Sequence, residues 1–133
     1  MLTITPLYAG LLGLWFLLLS IHVIRFRWAG ISLGDGGRPE VNRAIRGHGN
    51  FAEYVPLVLL LMALLETGGV IAPWVIHLIG LMLLIGRVLH AIALSFTQRW
   101  MPGRIGGMVL TFAALTLASL LCLWRGVAAL VLP

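Results

Sequence analysis

The feature that most constrains this chain is a series of long apolar stretches, separated by short segments that hold most of its charge. No charged side chain precedes Arg25, and residues 105–124 are again uncharged. Charged residues make up 10% of the chain, whereas soluble domains contain roughly 25%. A spanning helix needs about 20 apolar residues, so the chain has the length for about four spans and short loops. We therefore predict an all-α membrane protein, a bundle of four transmembrane helices in a single domain, residues 1–133.

Turn-forming residues indicate where the helices end. Glycine and proline are dense in residues 30–39 and 68–73, and Pro102 and Gly103 mark a third turn. The N-terminus lacks the basic start and the cleavage site of a signal peptide, so we expect the first apolar stretch to remain as a helix. The predicted helices cover residues 6–27, 40–66, 74–96 and 104–126.

The nine basic residues are all arginines, and they are distributed unevenly among the predicted loops. The second loop has none, whereas the first and third loops and their flanks contain Arg25, Arg27, Arg38, Arg43, Arg46, Arg99 and Arg104. Basic residues favour the cytoplasmic side, so we expect both termini outside the cytoplasm. We expect no nucleic-acid partner despite the net charge of +5, because a basic binding face requires exposed polar surface that this chain lacks.

The second and third helices are too short to cross a membrane on uncharged residues alone. Between Glu53 and Glu66 lie twelve uncharged residues, which cover about 18 Å of a hydrocarbon core about 30 Å thick. Helix 2 must therefore bring Asn50 and Glu53 to membrane depth or its edge. By the same argument, helix 3 brings Arg87 and His90 into or near the bilayer.

Polar residues of helix 2 share one face. At 100° per residue, an arc of about 100° contains Arg43, Arg46, Asn50, Glu53 and Tyr54, while His48 falls on the opposite face. These groups could bond neighbouring helices together, since membrane helices use polar contacts in this way. We favour a ligand site, because ionisable clusters inside membranes are functional by default.

The residue types on this face predict the class of ligand. Arginines bind carboxylates through paired hydrogen bonds, Glu53 suits an ammonium group and Asn50 an amide. A small zwitterionic peptide with surplus carboxylate fits this set, and a phospholipid headgroup fits it less completely. We expect no metal, because the four histidines are scattered and Cys122 is the only cysteine.

The run Arg43-Ala-Ile-Arg-Gly-His-Gly-Asn-Phe-Ala-Glu-Tyr-Val-Pro56 resembles the helix 2 signature of the MAPEG superfamily, which includes the microsomal glutathione transferases. Arg25 at the end of helix 1 and the run Gly86-Arg-Val-Leu-His90 agree with it, and the resemblance extends over essentially the whole chain. The chain is most similar to a short bacterial branch located in the cell inner membrane.

The resemblance implies a homotrimer that binds glutathione between subunits near the cytoplasmic face. Arg46, Asn50, Glu53 and Tyr54 match glutathione-contacting positions, and Arg25 matches a carboxylate-binding arginine. Residues that would complete the site are Arg43, Arg87 and His90, although the last two could instead pair with Glu53. His48 corresponds to a position that faces a neighbouring subunit. Arg104 corresponds to the arginine that stabilises the thiolate, and His90 and Leu94 occupy helix 3 positions that hold tyrosines in other members.

Two functions follow as hypotheses. The first is a glutathione transferase or peroxidase, with glutathione as cosubstrate and lipophilic electrophiles or lipid hydroperoxides as second substrates that arrive from the membrane lipids. The second is a non-catalytic membrane scaffold that binds a lipid or a small anion in the same intersubunit site.

Overall fold

The computed structural model describes residues 1–131, which form four α-helices. These are α1 (Ile4–Trp28), α2 (Pro39–Thr67), α3 (Pro73–Ala91) and α4 (Met101–Val131), and α3 continues as a π-helical turn, Ile92–Phe96. All four are long and apolar enough to cross a membrane. The fold is therefore the predicted four-helix membrane bundle. Seven of the eight helix ends lie one to five residues beyond the predicted ends, most of all at the end of α4, and the π-helical turn after α3 ends at the predicted residue, Phe96.

The core lies where the four helices meet, and its residues are aliphatic, aromatic or small. It includes Leu12 and Leu19 of α1, Val58 and Met62 of α2, and Leu83 of α3, all at most 1% exposed. Large apolar side chains also cover the outside of the bundle, as expected of a surface that contacts lipid. Because lipid is as apolar as the core, close packing rather than water exclusion must hold these helices together.

Helices α3 and α4 approach each other closely through two glycines. A Cβ atom on Gly107 would lie 2.6 Å from both the Gly86 carbonyl oxygen and the His90 backbone nitrogen. The residue before Gly107 is also a glycine, Gly106, but a Cβ atom there would face open space. The contact brings the first turns of α4 against the end of α3, which places Arg104 beside His90.

The two ends of the bundle have different polar structures. We call the end with the α1–α2 and α3–α4 connections the site end, and the other, with the N-terminus and the α2–α3 connection, the opposite end. At the opposite end, the Glu66 carboxylate accepts hydrogen bonds from the backbone nitrogens of Thr3, Ile4 and Thr5, the last two at 2.7 Å. A carboxylate from α2 therefore caps the N-terminus of α1.

At the site end, the connection between α1 and α2 is an ordered turn. Asp35 accepts a hydrogen bond from the Gly37 backbone nitrogen at 2.9 Å and another from the Asn42 amide at 2.8 Å. These bonds favour the charged carboxylate and lower the pKa of Asp35 below its usual value. The turn is thereby tied to the first residues of α2.

Candidate functional site

A cavity of about 510 Å³ opens between α2, the end of α3 and the start of α4, at the site end of the bundle. Its size falls within the range of about 300 to 1,000 Å³ that is usual for small-molecule sites. The cavity is lined by Asn42, Arg43, Ile45, Arg46, Gly49, Asn50, Glu53, His90, Leu94, Arg104 and Met108. Six of these residues belong to the site predicted from sequence: Arg43, Arg46, Asn50, Glu53, His90 and Arg104.

One face of α2 supplies most of the cavity wall. The lining residues between Asn42 and Glu53 cover an arc of about 160° at 100° per residue, wider than the predicted polar stripe. Arg43 and Asn50 lie at one edge of this arc. Tyr54 lies about 20° beyond Arg43, which places it behind the wall, where its ring is 5.7 Å from that of Phe112.

The cavity is rich in positive charge. Arg43, Arg46 and Arg104 contribute three guanidinium groups, against the single carboxylate of Glu53. Within residues 1–131, the only ion pair joins Arg38 to Glu40 outside the cavity. Arg46 and Glu53 therefore form no ion pair with each other or with a neighbouring helix. Their charges remain free to meet a ligand.

His90 is a nearly buried side chain of the cavity wall, 4% exposed. Its Nδ1 atom lies 3.0 Å from the backbone carbonyl oxygen of Arg104, which can only accept a hydrogen bond. Nδ1 must therefore hold a proton, so in the neutral ring Nε2 has the free lone pair. The first turn of α4 thus sets the tautomer that His90 offers to a ligand.

Arg87 lies behind the wall and is completely buried. One guanidinium nitrogen donates a hydrogen bond of 2.7 Å to the side-chain oxygen of Asn50, and another lies 3.4 Å from the Thr111 hydroxyl. Its charge also lies above the rings of Phe51 and Tyr54, with distances of 5.9 and 5.6 Å to the ring centres. The structure places it beside the cavity, where it does not line the wall.

Two predicted site residues lie away from the cavity. His48 faces α1, where its ring stacks on Phe16 at 4.5 Å and its Nε2 lies 3.1 Å from the Ser20 hydroxyl. Arg25 is exposed in the last turn of α1 and does not line the cavity. The roles that the resemblance implies for them, with contacts to a neighbouring subunit, stay predictions.

The sequence analysis did not include several wall residues in the site, among them Asn42, Gly49 and Met108, and it named Leu94 only as a departure from the family pattern. Asn42 and Gly49 extend the polar face of α2 on the side opposite Tyr54, so a wider arc would have included them. Leu94 and Met108 are apolar residues among many, and only the packing of α3 on α4 brings them to the wall. They add apolar surface to the cavity wall beside its arginines.

The side chains of the cavity wall combine positive charge with hydrogen-bonding groups of both kinds. The wall offers three guanidinium groups, one carboxylate and the two carboxamides of Asn42 and Asn50. No three metal-ligating side chains come together within residues 1–131. The donors that do converge suit an organic anion with a cationic end.

Comparison with known proteins identifies the family. Residues 5–124 match the profile of the MAPEG family. The chain belongs to the MAPEG family. This MAPEG chain is 38% identical over 122 residues to the inner membrane protein YecN of Escherichia coli strain K12, a match that covers 91% of each chain. The YecN protein of strain CFT073 matches equally well. No solved structure matches it.

Proposed function

We propose that this MAPEG protein binds glutathione in the cavity between α2, α3 and α4 and uses its thiolate in one of two reactions. It either conjugates glutathione to lipophilic electrophiles, or it reduces lipid hydroperoxides to alcohols and water while two glutathione molecules are oxidised to the disulfide. The observation that supports this most is the convergence of three arginines, one carboxylate and a carboxamide on one cavity, where none of the four charged groups has an ion-pair partner among residues 1–131. The arginines meet the carboxylates of glutathione, Glu53 meets its ammonium group and Asn50 bonds to an amide or carboxylate.

Arg104 is the proposed thiolate-stabilising residue. Its guanidinium group lies in the first turn of α4 and lines the same cavity as the proposed peptide contacts. A free thiol has a pKa of about 8.5, so only a small fraction is thiolate at neutral pH. A guanidinium group beside the sulfur favours the thiolate, which is the attacking nucleophile. The second substrate then reaches the sulfur from the membrane.

The site extends to a second copy of the chain in this proposal. Arg46 and Glu53 are exposed on a helix that crosses the membrane, and charged groups cannot face lipid at low cost. A homotrimer would cover them and bring Arg25 of a neighbour towards the cavity. The positive-inside rule places the site end at the cytoplasmic face, where glutathione would enter.

A non-catalytic scaffold is the second candidate, and the apolar surface of the cavity wall favours it. Leu94 lies on the wall where the resemblance leads one to expect a tyrosine, and Met108 lies on the same wall. An acyl chain beside a headgroup phosphate would use this combination of apolar and arginine surfaces. In that case the protein binds a lipid or a small anion without turnover.

Turnover with glutathione and a lipophilic test electrophile separates the two candidates. We expect the purified protein to form the conjugate, and Arg104→Gln to reduce the rate most at neutral pH. The loss should shrink as the pH approaches 8.5, because the thiol then ionises without help. Arg99→Gln is the matched control, since Arg99 is an exposed arginine of the neighbouring turn that does not line the cavity.

The outcomes are distinct. If the wild-type protein binds phospholipid headgroups but shows no turnover, the enzyme hypothesis is refuted and the scaffold hypothesis is supported. Equal rates for Arg104→Gln and wild type at every pH would show that Arg104 does not stabilise the thiolate.

A further inference from the structure

A completely buried guanidinium group with no carboxylate at ion-pair distance among residues 1–131 is the least expected feature of this protein. Arg87 is 0% exposed, and its Nε atom has no hydrogen-bond partner among the described residues. Burial of a charge without an opposite charge is costly, so such residues are rarely retained for packing alone. Its strongest contact, the 2.7 Å hydrogen bond to Asn50, therefore indicates what Arg87 does.

The chemistry of arginine fixes the orientation of the Asn50 amide. The partners of an asparagine side chain determine which side its oxygen and its nitrogen occupy. Arg87 can only donate, so the atom of Asn50 that faces it must be the oxygen. The amide nitrogen then lies on the other side, and no protein acceptor within residues 1–131 bonds to it. Asn50 lines the cavity, so its N–H groups are available to a ligand.

A second contact holds Arg87 itself in place. The Thr111 hydroxyl donates to the Gly107 carbonyl oxygen at 2.8 Å, which leaves its lone pairs to accept from Arg87 at 3.4 Å. Thr111 and Gly107 belong to α4, at the close contact between α3 and α4. The arginine is thus held between α4 and α2, and its orientation depends on both helices.

We propose that Arg87 is a positioning residue that holds the Asn50 amide with its nitrogen towards the cavity, so that the site selects a ligand with an acceptor oxygen at this point. The inference rests on the proposed binding of an anion in the cavity and assigns Arg87 no contact with the ligand. Asn50 then acts as a donor together with Arg43, Arg46 and Arg104. Glu53, one turn further along α2, is the acceptor of the site.

Replacing Asn50 by aspartate tests the oxygen side of the amide, which faces Arg87, separately from the nitrogen side, which faces the cavity. Asn50→Asp places a carboxylate opposite Arg87 and removes the N–H groups from the cavity. We expect its unfolding midpoint in detergent to be no lower than that of the wild type, because the buried arginine gains an opposite charge. We expect its glutathione affinity to fall at least about tenfold, because a donor to a charged acceptor is lost.

The same substitution in an Arg87→Met background tests the contact without any ligand. In that background the new carboxylate no longer lies opposite the buried Arg87, so Asn50→Asp is expected to give a lower unfolding midpoint, relative to its parent, than it does in the wild-type background. Arg87→Met alone is expected to weaken glutathione binding although Arg87 does not reach the cavity, and Arg87→Lys, which retains a donor, to restore part of it. Arg99→Met is the matched control and should change neither measurement.

An equal loss of stability from Asn50→Asp in both backgrounds would overturn the proposed contact. Undiminished glutathione affinity in Asn50→Asp would overturn the proposed orientation. A wild-type protein that binds no glutathione would refute the proposed function, while the comparison of the two backgrounds would still decide whether Arg87 holds the Asn50 oxygen.

Discussion

The Glu66 cap offers a test of how α1 is fixed to α2. The carboxylate accepts three backbone N–H groups of the first turn of α1 and a hydroxyl hydrogen from Thr3 at 3.1 Å. Loss of a helix cap costs about 1 kcal/mol, and a favourable charge at a helix N-terminus contributes about 1 to 2 kcal/mol when partly buried. We therefore expect Glu66→Leu to reduce the free energy of unfolding by about 2 to 3 kcal/mol.

Glu66→Gln retains an acceptor oxygen and loses only the charge, so its expected cost is about 1 to 2 kcal/mol. Reversible unfolding in mixed micelles with increasing sodium dodecyl sulfate measures both variants. Glu53→Gln is the matched control, because Glu53 is an exposed carboxylate of the same helix with no hydrogen bond or ion pair among the described residues. A Glu66→Leu protein as stable as Glu53→Gln would refute the cap.

Three further predictions concern helix packing, topology and assembly. Gly107→Ala should destabilise the protein by about 2 to 4 kcal/mol relative to Gly106→Ala in the same unfolding assay, since one Cβ meets the α3 backbone and the other open space; equal stabilities would contradict the close contact. Reporter fusions are expected to place both termini outside the cytoplasm, and a cytoplasmic C-terminus would refute the arginine argument. Native mass spectrometry in mild detergent is expected to show a trimer of the 14.5 kDa chain, and a monomer alone would contradict it.

The polar face of α2 could be predicted from sequence because it follows from arithmetic on one helix. Twelve uncharged residues between Glu53 and Glu66 cannot cross a membrane, and the helical period then shows which polar residues lie together. Both arguments are local. The structure widens this face to include Asn42 and Gly49, and it places Tyr54 behind it.

Contacts between helices could not be predicted in this way. The sequence shows that Arg87 lies near the membrane, but its contact with Asn50 depends on how α3 is rotated against α2. Glu66 appeared only as a charge near the end of a helix, and its role as a cap depends on α1 lying beside it. Of the two adjacent glycines in α4, Gly107 lies in a close helix contact and Gly106 does not. Each of these facts needs the relative placement of two helices.

Titration of the purified protein with glutathione tests the central claim most directly. We expect saturable binding by the wild type, and a loss of about 1.5 to 3 kcal/mol of binding free energy in Glu53→Gln, which removes the partner of the ammonium group. Arg46→Lys should also bind more weakly, because a point charge does not replace a planar donor pair at a carboxylate. Arg99→Lys is the control, and the melting temperatures of all three variants should match the wild type. Glutathione affinity that is unchanged in both Glu53→Gln and Arg46→Lys would contradict the proposed site.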